Sequence, residues 1–249
     1  MGTAAGSSFP LPPPSSFRPH AMTPRHRLPV LFLCFATCLM AENPANPPAA
    51  GWKPLFDGRS FEGWTTKTGK PVSAGWEVRD DSLHRHGAGG DIVTTAEWAD
   101  FELEFEWKVA AGANSGVKYR VGEYAPAGRD IGPEYQVLDD AGHANGKNPK
   151  TSAGSLYDLI PASAAKKPRP VGEWNQSRIV ARGPHLEHWL NGEKIMETDL
   201  DGPAWKTALG ASKFKAAPDF GTRKGRILLQ DHGDEVWFRA LRIREVPGA

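Results

Sequence analysis

Three short stretches place polar side chains at strand spacing. In IGPEYQVLDDAGH, residues 131–143, Glu134 and Gln136 fall on one face of a strand, and Asp139 stands at its end beside Asp140. A carboxylate and an amide about 7 Å apart, two residues along a strand, can both reach one small polar ligand. In NSGVKYR, Asn114-Ser115-Gly116 leads into an alternation that sets Lys118 and Arg120 opposite Val117, Tyr119 and Val121. If the apolar set faces the core, both cations face outward, and on alternation alone a solvated sheet face is the stronger reading for them. In ILLQDHG, Gln230 and His232 share one face where an apolar run ends, which suggests a polar pocket at the end of that strand. A divalent metal ion held by Glu134, Asp139 and His232 is a weaker reading of the same residues, and the alternative for all of them is a wet sheet surface.

The elements that must position these groups read as strands. Gly and Pro punctuate the chain at short intervals, and between them lie runs of strand composition: 76–78, 82–86, 101–109, 116–121, 134–138, 177–181, 185–190, 227–232 and 236–246. FELEFEWKV sets Phe101, Leu103, Phe105, Trp107 and Val109 on one face and Glu102, Glu104, Glu106 and Lys108 on the other. HLEHWLNGEKIME is a hairpin with Asn191-Gly192 at its turn, a pair that tolerates the positive φ of a type I′ turn, and Asp80-Asp81 repeats the signal more weakly. No stretch carries the long 3.6-residue periodicity of a crossover helix, and IPASAAKKPRP is broken by prolines. The expected fold class is all-β: a two-sheet antiparallel β-sandwich without helices. Of the nine tryptophans, Trp107 and Trp237 lie in apolar alternation and are expected in the core, whereas Trp205, in DGPAWKTALG, is expected to be an exposed platform.

The 249 residues carry a formal net charge of +1, without the clustered basic excess of a nucleic-acid binder. From Met22, MTPRHRLPVLFLCFATCLMAENP has a basic start, an apolar run and a small residue at Ala41, the pattern of a secretory signal peptide. The expected organisation is therefore a signal region over residues 1–41 with translation starting at Met22, a linker over 42–51, and one domain over 52–249. The expected location is the periplasm or the extracellular space, with no membrane span in the mature protein. A lipid anchor at Cys38 is the competing reading, and Phe35-Ala36-Thr37 fits a lipobox poorly. Cys34 and Cys38 both lie in the apolar run, so cleavage at Ala41 leaves a domain with no thiol.

Familiar catalytic machineries are missing: there is no G-x-S-x-G elbow, phosphate loop or dinucleotide fingerprint. Glu102 and Glu106 of ELEFE would lie roughly 13 Å apart along a strand, against about 5–5.5 Å for a retaining glycosidase pair. The histidines, HRH and HLEH included, form no closed tetrahedral set of familiar spacing.

Seven blocks in order, LFDGRSFEGW, NSGVKYR, GPEYQVLDD, GSLYDLIP, GEWNQSRIVARG, WLNG and GRILLQDHGDEVWFRALRIRE, resemble the 3-keto-disaccharide hydrolase domain family across essentially the whole mature chain. The resemblance implies a concanavalin-like jelly roll, exported by a bacterium, that cleaves glycosides already oxidised to a ketone at C3. Its chemistry would be proton removal at C2, expulsion of the C1 aglycone, and hydration. On that resemblance Glu134 or His232 is the base and Arg120 or Lys118 stabilises the enolate. Asn114, Gln136, Asp139, Tyr157, Asn175 and Gln230 hold the sugar, together with Trp205, and the partner is an oligosaccharide or glycoside. The alternative is a secreted carbohydrate-binding module without catalysis, since such sandwiches serve both ends.

Overall fold

The computed structural model describes residues 51–248; the expected signal region, its start at Met22, both cysteines and nearly all of the linker lie outside them. The strands are β1 (Lys53–Pro54), β2 (Trp64–Thr66), β3 (Trp76–Arg79), β4 (Ser82–Arg85), β5 (Ile92–Thr94), β6 (Phe101–Val109), β7 (Asn114–Tyr124), β8 (Gly128–Ile131), β9 (Glu134–Leu138), β10 (Asn175–Arg182), β11 (His185–Leu190), β12 (Glu193–Asp199), β13 (Arg226–Leu229) and β14 (Val236–Glu245). They form two antiparallel sheets, one ordered β12-β11-β10-β6-β14-β4-β3 with β1 beside β14, the other β2-β5-β13-β7-β8 with β9 beside β7. This is the all-β, two-sheet sandwich that the alternation predicts. No helix among the described residues is long and apolar enough to cross a membrane.

The alternation in β6 does what its residue types dictate. Phe101, Leu103, Phe105 and Trp107 are buried in the core, where Phe105 meets Tyr135 of β9 edge to face at 5.4 Å and Phe101 meets Tyr119 of β7 at 6.1 Å. On the outer face, Glu102, Glu104 and Glu106 pair with Arg244, Arg242 and Arg239 of β14 at 2.8, 2.8 and 2.7 Å. Those carboxylates are spent on a cross-strand ladder. Trp237, expected in the core, stands on this outer face instead, stacked on His84 at 4.6 Å. Asn191 and Gly192 have φ of 49° and 89°, and Asp80 and Asp81 have φ of 49° and 55°, as type I′ turns require.

Two departures from the sequence expectation bear on the site. Residues 203–211 form a helix, α1 (Pro203–Ala211), with Pro at its start and Trp205, Ala208 and Leu209 buried. Trp205 is only 2% exposed and lies parallel to Phe220 at 6.5 Å, so it is a core residue and offers no platform. In β7, the pairs Lys118↔Leu228 and Val121↔Arg226 show three steps on β7 against two on β13, a bulge at which Arg120 takes φ of 50°. The extra residue breaks the alternation and turns Arg120 inward.

There Arg120 is 1% exposed, donating from Nε to the Ala99 carbonyl, from Nη1 to the Gly183 and Gly221 carbonyls, and from Nη2 to Asp100 at 3.1 Å. It fastens four chain segments. Arg120→Lys cannot reproduce that fork. The substitution is expected to cost about 3 kcal/mol, the scale for breaking a buried charge network, read as a lower urea midpoint, with the turnover of the folded fraction little changed.

Between the sheets, His188 is fully buried, with Nδ1–H donating to the Gly154 carbonyl at 2.9 Å and Nε2 accepting from the Tyr119 hydroxyl at 3.0 Å. Burial holds its pKa down at about 3, against an ordinary 6.5. The unfolded chain therefore binds a proton that the native state refuses, so His188 contributes full stability above pH 6.5 and loses it as the pH falls from there towards 3. His188→Ala is expected to destabilise the fold by about 3 kcal/mol through a cavity and two orphaned polar groups. Urea melts at neutral pH measure this loss, and the same melts at pH 4–5 should show the gap between variant and parent narrowing.

Candidate active site

The outer face of the six-stranded sheet holds a cavity of about 360 Å³, lined by Asn114, Lys118, Glu134, Gln136, Tyr157, Gln230 and His232 together with Ala127, Ile131, Gly132, Lys213 and Phe214. Its floor is the β7–β9 pair. In that register Lys118 faces Glu134 and Gly116 faces Gln136, while Tyr135 and Val137 point the other way into the core. The register thus settles which face Glu134 takes.

Gly116 makes room for the carboxylate. A Cβ at this position would lie 2.3 Å from Glu134 Oε1 and under 3 Å from its Cδ and Cγ, so the glutamate side chain lies across the bare backbone of β7. Glu134 is buried, with Lys118 Nζ 3.7 Å from Oε2. Burial raises its pKa above the ordinary 4.5, against the opposing pull of Lys118 and Lys213. A carboxylate in this state is a stronger base than one in water.

Next to it an amide chain runs along the floor. Gln136 Nε2 donates to Asn114 Oδ1 at 3.1 Å, and Asn114 Nδ2 lies 3.4 Å from His232 Nε2. Among the described residues Gln136 Oε1 has no hydrogen-bond partner, although the residue is 1% exposed. An amide oxygen lining a cavity can accept from a ligand hydroxyl. The Gln230 backbone is held by its N–H on the Gly116 carbonyl at 2.9 Å and by the Ser115 hydroxyl on its carbonyl at 2.7 Å. Tyr157 is brought alongside by its N–H on the Glu134 carbonyl at 3.0 Å, and Lys213 Nζ stands 4.6 Å from the centre of its ring.

Four residues expected in the site lie outside this cavity. Arg120 is turned inward by its bulge and Trp205 is buried in α1, as described above. Asp139 Oδ2 accepts the Gly112 N–H at 2.7 Å and Oδ1 the Ala141 N–H at 3.1 Å. Burial would raise its pKa, but the backbone donors Gly112, Gly142 and Ala141 outweigh it and hold the carboxyl below the ordinary range. Asn175 lies on β10 of the other sheet, its Oδ1 taking the Arg169 N–H at 2.8 Å and the Asn191 amide at 3.0 Å. With Asp139 committed to backbone, the metal set of Glu134, Asp139 and His232 is not assembled. Among the described residues, the metal-like grouping is His185, Glu187 and Glu197, where Lys194 forms ion pairs with both carboxylates. Lys213 and Phe214, which sequence reasoning missed, come from the turn after α1, a stretch with no strand or helix period.

A family model for the 3-keto-alpha-glucoside-1,2-lyase-like domain matches residues 51–244. The chain is 34% identical over 229 residues to a 3-keto-disaccharide hydrolase of Bacteroides thetaiotaomicron, with 79% of each chain covered. It is also similar to a solved structure of a candidate glycosyl hydrolase from Parabacteroides distasonis, with 33% identity, a TM-score of 0.71, and 79% of this chain and 94% of that one covered. A second candidate glycosyl hydrolase from that organism has 31% identity and a TM-score of 0.61, over 78% of this chain and 99% of the other.

Proposed function

The chain belongs to the 3-keto-alpha-glucoside-1,2-lyase-like family, and from that premise we propose that it cleaves 3-keto-glycosides by elimination at its Glu134 cavity. The observation that carries this reading is a buried carboxylate of raised pKa facing Lys118, beside an amide oxygen with no partner among the described residues.

A ketone at C3 acidifies the C2 hydrogen. Glu134 takes that proton, and the C–H electron pair becomes the C2=C3 bond of an enolate with its charge on the C3 oxygen. Lys118 and Lys213, both of which line the cavity, meet that charge. When the C3 carbonyl reforms, the electron pair moves into a C1=C2 bond and the C1–O bond breaks; the departing alkoxide takes a proton from water. The hydroxide so formed adds to C1 and Glu134 returns its proton to C2, so one water is consumed, the base is regenerated and the net reaction is hydrolysis. Gln136, Asn114, Gln230 and His232 hold the ring hydroxyls, and Tyr157 closes one side. His232 is exposed at the rim, at the amide end of the floor beside Asn114, and its role is to hold a ring hydroxyl.

The binding-module alternative needs exposed aromatics, and burial of Trp205 removes its best platform. Export is part of the proposal, supported by the basic start and apolar run after Met22. The test is to incubate residues 42–249 with 3-keto-trehalose, 3-keto-lactose and their unoxidised parents, following products by mass spectrometry. Sugar or 2-hydroxyglycal from the keto compounds alone is the expected result. Binding of ordinary glycans with no turnover of any keto compound would overturn the reading.

A further inference from the structure

The cavity has two chemically different ends, and the strand register sets their order. Along β7, Asn114 lies beside Leu138 with its amide bonded to Gln136, Gly116 lies beside Gln136, Lys118 lies beside Glu134, and Gly122 and Tyr124 lie beside Ile131 and Gly128 of β8. The amides and His232 therefore gather at the start of β7, Glu134 stands midway, and Ala127 and Ile131 lie at the far end. Phe214 belongs to that far end as well: its ring stacks on Phe220 at 4.3 Å and 15°, and Phe220 packs on Tyr124 at 5.4 Å. Phe214 is only partly buried, so one part of the ring is fixed by the stack and the rest is left to line the cavity.

We propose that the Ala127, Ile131 and Phe214 end is a leaving-group subsite built for an apolar, ring-shaped aglycone rather than for a second sugar. The inference rests on the elimination reading. A sugar ring held by the amides, with C2 over Glu134, has its C1 substituent one bond further on, towards the apolar end. A second pyranose placed there would turn several hydroxyls towards Ala127, Ile131 and Phe214, which neither donate nor accept, at the cost of their hydration, and Lys213 Nζ, 5.1 Å from the centre of the Phe214 ring, can meet only a part of them. A planar hydrocarbon ring finds an aromatic face and two aliphatic side chains. The volume, about 360 Å³, lies at the small end of the roughly 300–1,000 Å³ span of single-ligand pockets, which suits one sugar and a compact leaving group.

Benzyl and methyl 3-keto-glucosides, in both anomers, test this, because the two leaving alcohols have similar acidity and differ mainly in the ring. kcat/KM for the benzyl compound is expected to exceed that for the methyl compound by at least about tenfold, the discrimination that one apolar group gives in such a pocket. Phe214→Ala and, separately, Ile131→Asn should bring the ratio towards one, so the outcome does not hang on the folding of a single variant. Equal kcat/KM for the two compounds, or a ratio that neither substitution moves, overturns the subsite while leaving elimination intact. Turnover of neither compound, nor of a 3-keto-disaccharide, overturns the elimination reading and the subsite with it.

Discussion

Glu134→Gln is expected to lower kcat on a 3-keto-glycoside by about 10²–10⁴-fold, the range that one positioned proton-transfer group supplies. Glutamine keeps the shape and the contact with Lys118 but cannot accept the C2 proton, so substrate binding should persist while turnover disappears. The pH profile of the parent should carry the mark of the same group. Its carboxyl is held above 4.5 by burial, so the acidic limb of kcat/KM should fall above the ordinary carboxylate range and vanish in the variant. Stability should move the other way. Between 4.5 and the raised native value the folded state keeps a proton that the unfolded chain has released, so Glu134 weakens the fold as pH rises through that window. Thermal melts across pH 4–8 should therefore show the parent losing ground to Glu134→Gln as the pH increases.

Gly116→Ala should cost about 100-fold in kcat/KM, the scale of a misplacement near 1 Å, while the melt stays cooperative. The added methyl would stand 2.3 Å from Glu134 Oε1, a distance that cannot exist, and the glutamate tip is what can yield. Moving it lifts the base off the floor and away from Lys118. Gly116 is in extended backbone, so alanine meets no backbone strain, and the effect should fall on catalysis. A structural role alone would lower the melting temperature and leave the kcat of the folded enzyme intact; the two readouts separate the cases.

The parts of this arrangement that the sequence reveals are those fixed by period and turn chemistry. β6, β9 and β11 have the bounds that alternation predicts, and Asn191-Gly192 closes its hairpin as the pair demands. Asn114, Lys118, Glu134 and Gln136 share one face because β7 and β9 are regular where they carry these residues, and Gln230 follows directly on β13 beside β7. What escaped was irregular. A bulge is one residue out of step, and nothing in VKYRV marks Arg120 as the residue with positive φ. α1 is short, and in it Trp205, Ala208 and Leu209 make a single apolar stripe that the preceding Asp-Gly-Pro disguises as a loop. Asp139 sits before Ala141-Gly142, where a carboxylate that ties down backbone N–H groups is as natural as one that meets a ligand. β2 and β5 have three residues each, too few for alternation to declare itself. Lys213 and Phe214 reach the cavity only through the packing of α1 and Phe220, a relation that no local pattern encodes.

The most direct measurement of the central claim is single-turnover release of aglycone from a 3-keto-glycoside carrying deuterium at C2, compared with the protium compound. Removal of that hydrogen by Glu134 makes deuterium slow the release several-fold in the parent, with no release above background from Glu134→Gln. Equal rates for the two isotopologues, with the unoxidised glycoside cleaved as readily as the ketone, would contradict proton abstraction at C2 and the role given to Glu134.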